Sequence, residues 1–131
     1  SVVGGNSMVA RFQSTNTTSF IQLSNTASTA DQVRIGSNGT NLVLSTNYTE
    51  RMRITSAGDA GIGVTTPRAK LDVAGGIKVA DDTDTAGANK VGTLRYRYVP
   101  GSPKNYSYVD MCMQTGASSY AWVNIVQNVW N

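Results

Sequence analysis

The sequence predicts an all-β protein, and three observations carry that expectation. Apolar and polar residues alternate over short segments along most of the 131 residues, and Gly, Asn, Asp and Pro interrupt them at short intervals. Hydrophobic residues make up 40% and charged residues only 15%, the balance being mainly Ser, Thr, Asn, Gln and Gly. That mixture of small polar and β-branched residues suits turn-rich β-structure and lacks the high charge typical of disordered chains. The helix formers Leu, Glu, Lys and Ala never gather into a run with helical spacing.

Residues 1–80 read as a train of short strands. Met8-Val9-Ala10-Arg11-Phe12-Gln13 alternates, and Ser19-Phe20-Ile21-Gln22-Leu23-Ser24 follows the polar turn Thr15-Asn16-Thr17-Thr18. Gln32-Val33-Arg34-Ile35-Gly36 sets Val33 and Ile35 on one face. Asn38-Gly39 then turns the chain into Asn41-Leu42-Val43-Leu44-Ser45, which predicts a hairpin. Arg51-Met52-Arg53-Ile54-Thr55 sets Met52 and Ile54 on one face and two arginines on the other. After the turn Ser56-Ala57-Gly58-Asp59 come Gly61-Ile62-Gly63-Val64, a break at Thr66-Pro67, then Lys70-Leu71-Asp72-Val73 and Ile77-Lys78-Val79.

Each of these strands offers about two inward apolar residues, too few for a stable sheet in a lone chain. The pattern fits three identical chains wound into an intertwined homotrimeric β-prism shaft, each lending small apolar side chains to a shared axial core. Its glycines would allow close backbone approach or bends, and intertwining would cover strand edges that one chain leaves open.

Residues 81–90, Asp81-Asp82-Thr83-Asp84-Thr85-Ala86-Gly87-Ala88-Asn89-Lys90, read as a polar, solvated linker. The three acids do not continue at the oxygen spacing of a calcium loop, and no Glu closes it, so no metal is expected.

Residues 91–131 change character. Tyr96, Tyr98, Tyr106, Tyr108, Tyr120, Trp122 and Trp130 fall here, against Phe12, Phe20 and Tyr48 upstream. Three strands stand out: Gly92–Tyr98, Tyr106–Met113 and Tyr120–Ile125. A Pro-Gly loop, Val99–Asn105, joins the first two, and Gln114–Ser119 joins the second pair. The expectation is a small terminal β-meander module with more apolar bulk than the shaft.

Several function classes find no support. The net charge of +3 is spread singly over Arg11, Arg34, Arg51, Arg53, Arg68 and Lys78, without the basic patch of a nucleic-acid binder. No apolar run is long enough to span a membrane as a helix. The single cysteine, Cys112, forms no intrachain disulfide, and in a strand without a nearby histidine it reads as a buried, inert thiol. The chain contains no His, so the commonest general base is missing. Gly61-x-Gly63 has no third glycine and no phosphate-binding lysine, and reads as a strand bend. Asp81, Asp82 and Asp84 are the only carboxylates grouped as glycoside cleavage would need, on a chain too small for an obvious cleft. No enzymatic activity and no cofactor are expected. The start at Ser1, without a signal-peptide pattern, is read as that of a fragment of a longer protein.

Two segments resemble those of tailed-bacteriophage fibre proteins. Met52-Arg53-Ile54, followed by Gly61-Ile62-Gly63, Pro67 and Lys70-Leu71-Asp72-Val73-Ala74-Gly75, is similar to the repeat that closes many fibre shafts. The stretch from Asn89 through Gly92-Thr93-Leu94-Arg95-Tyr96, Asp110-Met111-Cys112 and Tyr120-Ala121-Trp122-Val123-Asn124-Ile125 resembles the small terminal module of such fibres. Together they cover about the last two-thirds of the chain. The resemblance implies a homotrimer continuing an upstream shaft, placed at the tip of a virion tail fibre. It also implies contact with a host bacterial receptor, a surface polysaccharide or an outer-membrane component. Many relatives carry a self-cleaved chaperone domain after the fibre, and none is seen before Asn131.

Within the tip, Tyr98, Lys104, Asn105, Tyr106 and Gln114 are the candidate receptor-binding residues. Aromatic faces stack on the C–H surface of sugars, while amides and charges fix the hydroxyls. Trimerisation would triplicate a weak site and raise avidity. Trp122, mid-strand, reads as packing, with Tyr96 and Tyr108 on its face. The rival readings are a structural shaft cap or trimerisation module, a bacterial surface adhesin with a similar shaft, and an accessory domain of a polysaccharide depolymerase.

Overall fold

A computed structural model describes residues 10–27 and 32–131. The described residues are all-β: nine strands in two sheets and one short 3-10 turn. The chain divides into two compact units, Ser1–Gly76 and Ile77–Asn131.

The first unit is one sheet in which strand order follows chain order: β1 (Thr18–Gln22), β2 (Val33–Asn38), β3 (Asn41–Thr46), β4 (Thr49–Ile54), β5 (Ala60–Ile62) and β6 (Leu71–Val73). Neighbours are antiparallel except β5 and β6, which run parallel. The Asn38-Gly39 turn closes the β2–β3 hairpin as expected, with Asn38 opposite Asn41. The β3–β4 hairpin turns on Asn47 and Tyr48, whose φ values of 48° and 62° give the left-handed pair that two-residue hairpins favour. Of the segment expected as a first strand, Met8 and Val9 lie outside the described residues, and Ala10–Gln13 form no strand.

A bulge in β4 changes the expected facing of its arginines. Leu44 pairs with Met52 but Ser45 pairs with Glu50, so Arg51 opposes nothing. The extra residue brings Glu50 and Arg53 to the same face, where Arg53 Nη2 donates to Glu50 Oε2 at 2.8 Å. That hydrogen bond holds the Arg53 guanidinium above its ordinary pKa.

The register sorts the sheet into two unlike faces. Ile21, Ile35, Leu44, Met52, Ile62 and Val73 form one row across all six strands. On the same face the adjacent row is Ser19, Ser37, Leu42, Ile54, Ala60 and Leu71. Ile21, Ile35, Leu42, Leu44, Ile54, Ile62 and Leu71 all remain exposed. The opposite face carries Phe20 under the Arg34 guanidinium at 4.5 Å, the Glu50–Arg53 pair and Val43. Among the described residues, Val43 and Cys112 are the only buried apolar side chains. The apolar alternation in the sequence therefore builds a face, not an enclosed core.

The β5–β6 connection is unusually short. A parallel pair ordinarily needs a crossover of about a dozen residues or more; residues 63–70 suffice here. Ala60 N–H donates to Lys70 O and Ala74 N–H to Ile62 O, both at 2.9 Å, while Arg68 N–H donates to Asp72 Oδ2 at 3.0 Å. The loop folds back over buried Gly61, where a Cβ would stand 2.4 Å from Val64 O and 3.3 Å from Pro67 Cγ. Gly61→Ala should therefore displace this loop and cost about 1–3 kcal/mol, read as a lowered melting temperature of the full chain. An unchanged melt would show that the loop relaxes freely.

The second unit is an antiparallel meander of β7 (Leu94–Val99), β8 (Asn105–Gly116) and β9 (Ser119–Trp130). The loop 100–104 joins β7 to β8 as expected. The strands β8 and β9 run longer than expected, and a bulge at Ile125 shifts the parity of β9: Asp110 opposes Asn124, but Val109 opposes Val126. Alternation reverses there, so Trp122 and Trp130 lie on opposite faces despite their even spacing. As an outer strand of this sheet, β9 carries no charged residue and no proline.

Residues 81–90 are largely exposed but hydrogen-bonded along their length. They lie within the second unit and are tied to its sheet. Arg95 Nη1 donates to Asp82 O at 2.8 Å and Trp122 Nε1 to Asp84 O at 3.0 Å. Lys90 Nζ bonds Asp82 and Asp84, each at 2.7 Å. These bonds hold Asp82 below the usual carboxylate range and Lys90 above the usual amine value. A 3-10 turn, Ala88–Lys90, then leads into β7. Residues 77–79 form no strand, although Tyr96 N–H reaches Ala80 O at 3.2 Å. Lys90→Ala should free this strap and speed cleavage within 81–90 by an Asp-directed protease; unchanged cleavage would show that Arg95 and Trp122 hold it without the lysine.

Candidate functional site

Alternation along β7, β8 and β9 sorts the tip residues into two faces. Leu94, Met111 and Val123 form one row, and Tyr96, Val109 and Val126 the next. Leu94, Tyr96 and Val126 are exposed, so this face is apolar and open. Ile77 and Val79 line a shallow apolar groove with Tyr96 and Val109. At one end of the face, Tyr98 stacks on Trp130 with ring centroids 5.8 Å apart and donates its hydroxyl proton to Asn105 Oδ1 at 2.9 Å.

The other face is charged and better covered. The Asp110 side chain is 0% exposed and accepts hydrogen bonds from Arg97 Nε at 2.6 Å, Arg95 Nε at 3.0 Å and Asn124 Nδ2 at 3.3 Å. Burial pushes the Asp110 carboxyl up. The hydrogen bonds from Arg97, Asn124 and Arg95 outweigh burial and hold it below the usual carboxylate range. The result is an ionised carboxylate at the centre of the sheet, with two arginines on Oδ2 and an amide on Oδ1. Each arginine also lies over a ring: Arg95 Cζ is 4.2 Å from the Trp122 centroid and Arg97 Cζ is 3.8 Å from that of Tyr108. Tyr106 continues the row, nearly parallel to Tyr108 at 6.2 Å. Cys112 is buried on this face, its Sγ 3.8 Å from Gly87 O.

The five candidate receptor-binding residues are not brought together. Tyr98 and Asn105 meet on the apolar face. Tyr106 lies on the charged face, and Lys104 is exposed in the loop 100–104 at the same end of the sheet. Gln114 stands at the far end of β8, where its Nε2 donates to Gly116 O at 2.9 Å and Ala117 O at 3.2 Å and closes the β8–β9 turn. Tyr96 does not share the face of Trp122; Tyr108 does. Arg95, Arg97 and Asp110 were not among the candidates. Arg95 and Arg97, two residues apart on an unbroken strand, share a face, and the β7–β8 register sets Asp110 opposite Arg95.

The central carboxylate accepts three hydrogen bonds, and the strap acids Asp82 and Asp84 are both paired with Lys90. No protein-family model matches the chain, and no curated protein matches its sequence significantly.

Proposed function

We propose that this chain is the distal part of a bacteriophage tail fibre, a homotrimer whose tip attaches to the surface of a host bacterium. The observation that carries the assembly is the open apolar face on each sheet. Large uncovered apolar faces are rare on proteins that act as monomers and mark surfaces that meet a partner. Three copies placing these faces toward a common axis would form a three-sided prism shaft and a tip, with the charged faces turned outward. The attachment role rests on the order of motifs by which the chain resembles phage fibres: shaft motif, polar linker, Arg-Tyr strand, Cys strand and Trp strand. A purely structural cap is the second reading, favoured by the way the tip commits its central charges to one another.

Two measurements test this. Sedimentation equilibrium should give three times the 13.9 kDa chain mass, and a monodisperse monomer would overturn the assembly. Saturating trimer should block adsorption of the phage that carries it. A trimer that leaves adsorption unchanged would favour the cap.

A further inference from the structure

The charged face of the tip contains one arrangement twice, and only one copy is filled. Arg95 on Trp122 and Arg97 on Tyr108 flank the same buried carboxylate, each donating Nε to Asp110. At the Arg95 copy the strap supplies oxygen acceptors. Asp82 O takes Nη1 at 2.8 Å, an Asp81 carboxylate oxygen lies 4.0 Å from the same nitrogen, and Asp84 O takes the Trp122 Nε1 proton. At the Arg97 copy, neither Nη group has a partner among the described residues. The Arg97 side chain is correspondingly more exposed, 28% against 13% for Arg95.

We infer that the Arg97–Tyr108–Tyr106 ledge is the saccharide-binding site of the tip and that it takes a carboxylate-bearing sugar. The strap shows the kind of group that fits beside such an arginine: a carbonyl oxygen on Nη1, with a carboxylate oxygen 4.0 Å from the same nitrogen. Arg97 is preorganised for such a ligand. Its Nε is held by Asp110 and its Cζ lies 3.8 Å from the Tyr108 ring centroid, which leaves the two Nη groups as the donors for a carboxylate. Beside the arginine, half-buried Tyr106 and Tyr108 present ring surface and two hydroxyls without partners among the described residues, suited to a pyranose ring. Exposed Lys104, at the same end of the sheet, adds positive charge. A sugar is favoured over an acidic peptide because the Tyr106 ring and the two tyrosine hydroxyls lie beside the arginine. The identity of the ligand's source rests on the attachment reading.

The test is a nuclear magnetic resonance titration of the full 131-residue chain with methyl glucuronide, its neutral counterpart methyl glucoside, and the peptide Asp-Asp-Thr, paired with sedimentation of the same samples. Saturable shifts of the Arg97 side chain and the Tyr106 and Tyr108 rings by glucuronide are expected, roughly in the millimolar range for a single sugar. Glucoside should leave them unmoved. Arg97→Lys keeps the charge but loses the two Nη donors and should weaken binding about tenfold or more. Tyr106→Ala, remote from Asp110, should weaken binding with the wild-type fold retained. Equal response to both sugars, tighter binding of the peptide, or no saturable shift would each overturn the assignment. A trimer that ignores glucuronide rejects the ledge alone, whereas a monomer that binds it rejects the fibre and leaves the ledge standing.

Discussion

Replacing Asp110 with Asn should cost the tip about 3–5 kcal/mol, the usual penalty for breaking a buried ion pair from one side. Arg95 and Arg97 would then face each other across a neutral amide, each keeping its position on a ring but losing its counter-charge. Domains are stable by only about 5–15 kcal/mol, so this is a large fraction. Thermal melts followed by near-ultraviolet circular dichroism of Trp122 and Trp130 would register it as a fall of more than about 10 °C in a unit this small. Asp110→Ala should be at least as severe. A wild-type melt for the Asn variant would mean that the arginines are held by their rings and the strap, with the carboxylate incidental.

The same residue sets the response to acid. The Asp110 carboxyl is held below its ordinary value in the folded state, so the unfolded chain binds the proton more readily. The stabilisation is therefore complete above the unfolded pKa, about 3.9, and is lost as the pH falls through the lower folded value. The wild-type melting temperature should stay level from neutrality to about pH 5 and drop below about pH 4. The Asn variant should lack this share of the drop.

The second large effect concerns assembly. Leu44 sits within the apolar row of the first sheet, between Ile35 and Met52. In the proposed trimer, Leu44→Asp removes about 1.5–3 kcal/mol of apolar burial per copy and adds the cost of desolvating a carboxyl group. Three copies carry the change, so the penalty is about 10 kcal/mol per trimer, and sedimentation should show only the monomer. Gln22→Asp, on the opposite face of the same sheet, should leave assembly intact. A Leu44→Asp trimer would show that this face does not meet another copy.

The strands of the first unit were largely legible because each apolar run is bounded by a strong turn signal, as at Asn38-Gly39 and Gly58. Facing was legible only where alternation is unbroken. The bulges at Arg51 and Ile125 each add one residue, and from that point inward and outward exchange. A period-two pattern contains no mark of where it slips, so alternation alone sets Arg51 beside Arg53 and ends β9 at Ile125. The strap was illegible for another reason. The carbonyls of Asp82 and Asp84 take hydrogen bonds from Arg95 and Trp122, which come later in the chain and meet them only through the fold. The candidate site suffered from both effects. Tyr98 and Tyr106 flank one loop and look adjacent, yet they stand on opposite faces, while Arg97 and Asp110 come together only through the pairing of β7 with β8.

The uncharged outer strand β9 has a consequence for handling the protein. A long ribbon without lysine or proline gatekeepers is a template on which further strands can add without limit. Soluble yield should then depend on whether copies find their closed arrangement before they meet as open-ended stacks. Slow synthesis at low temperature should favour the first outcome, and a single lysine introduced into β9 should make the chain more forgiving of haste.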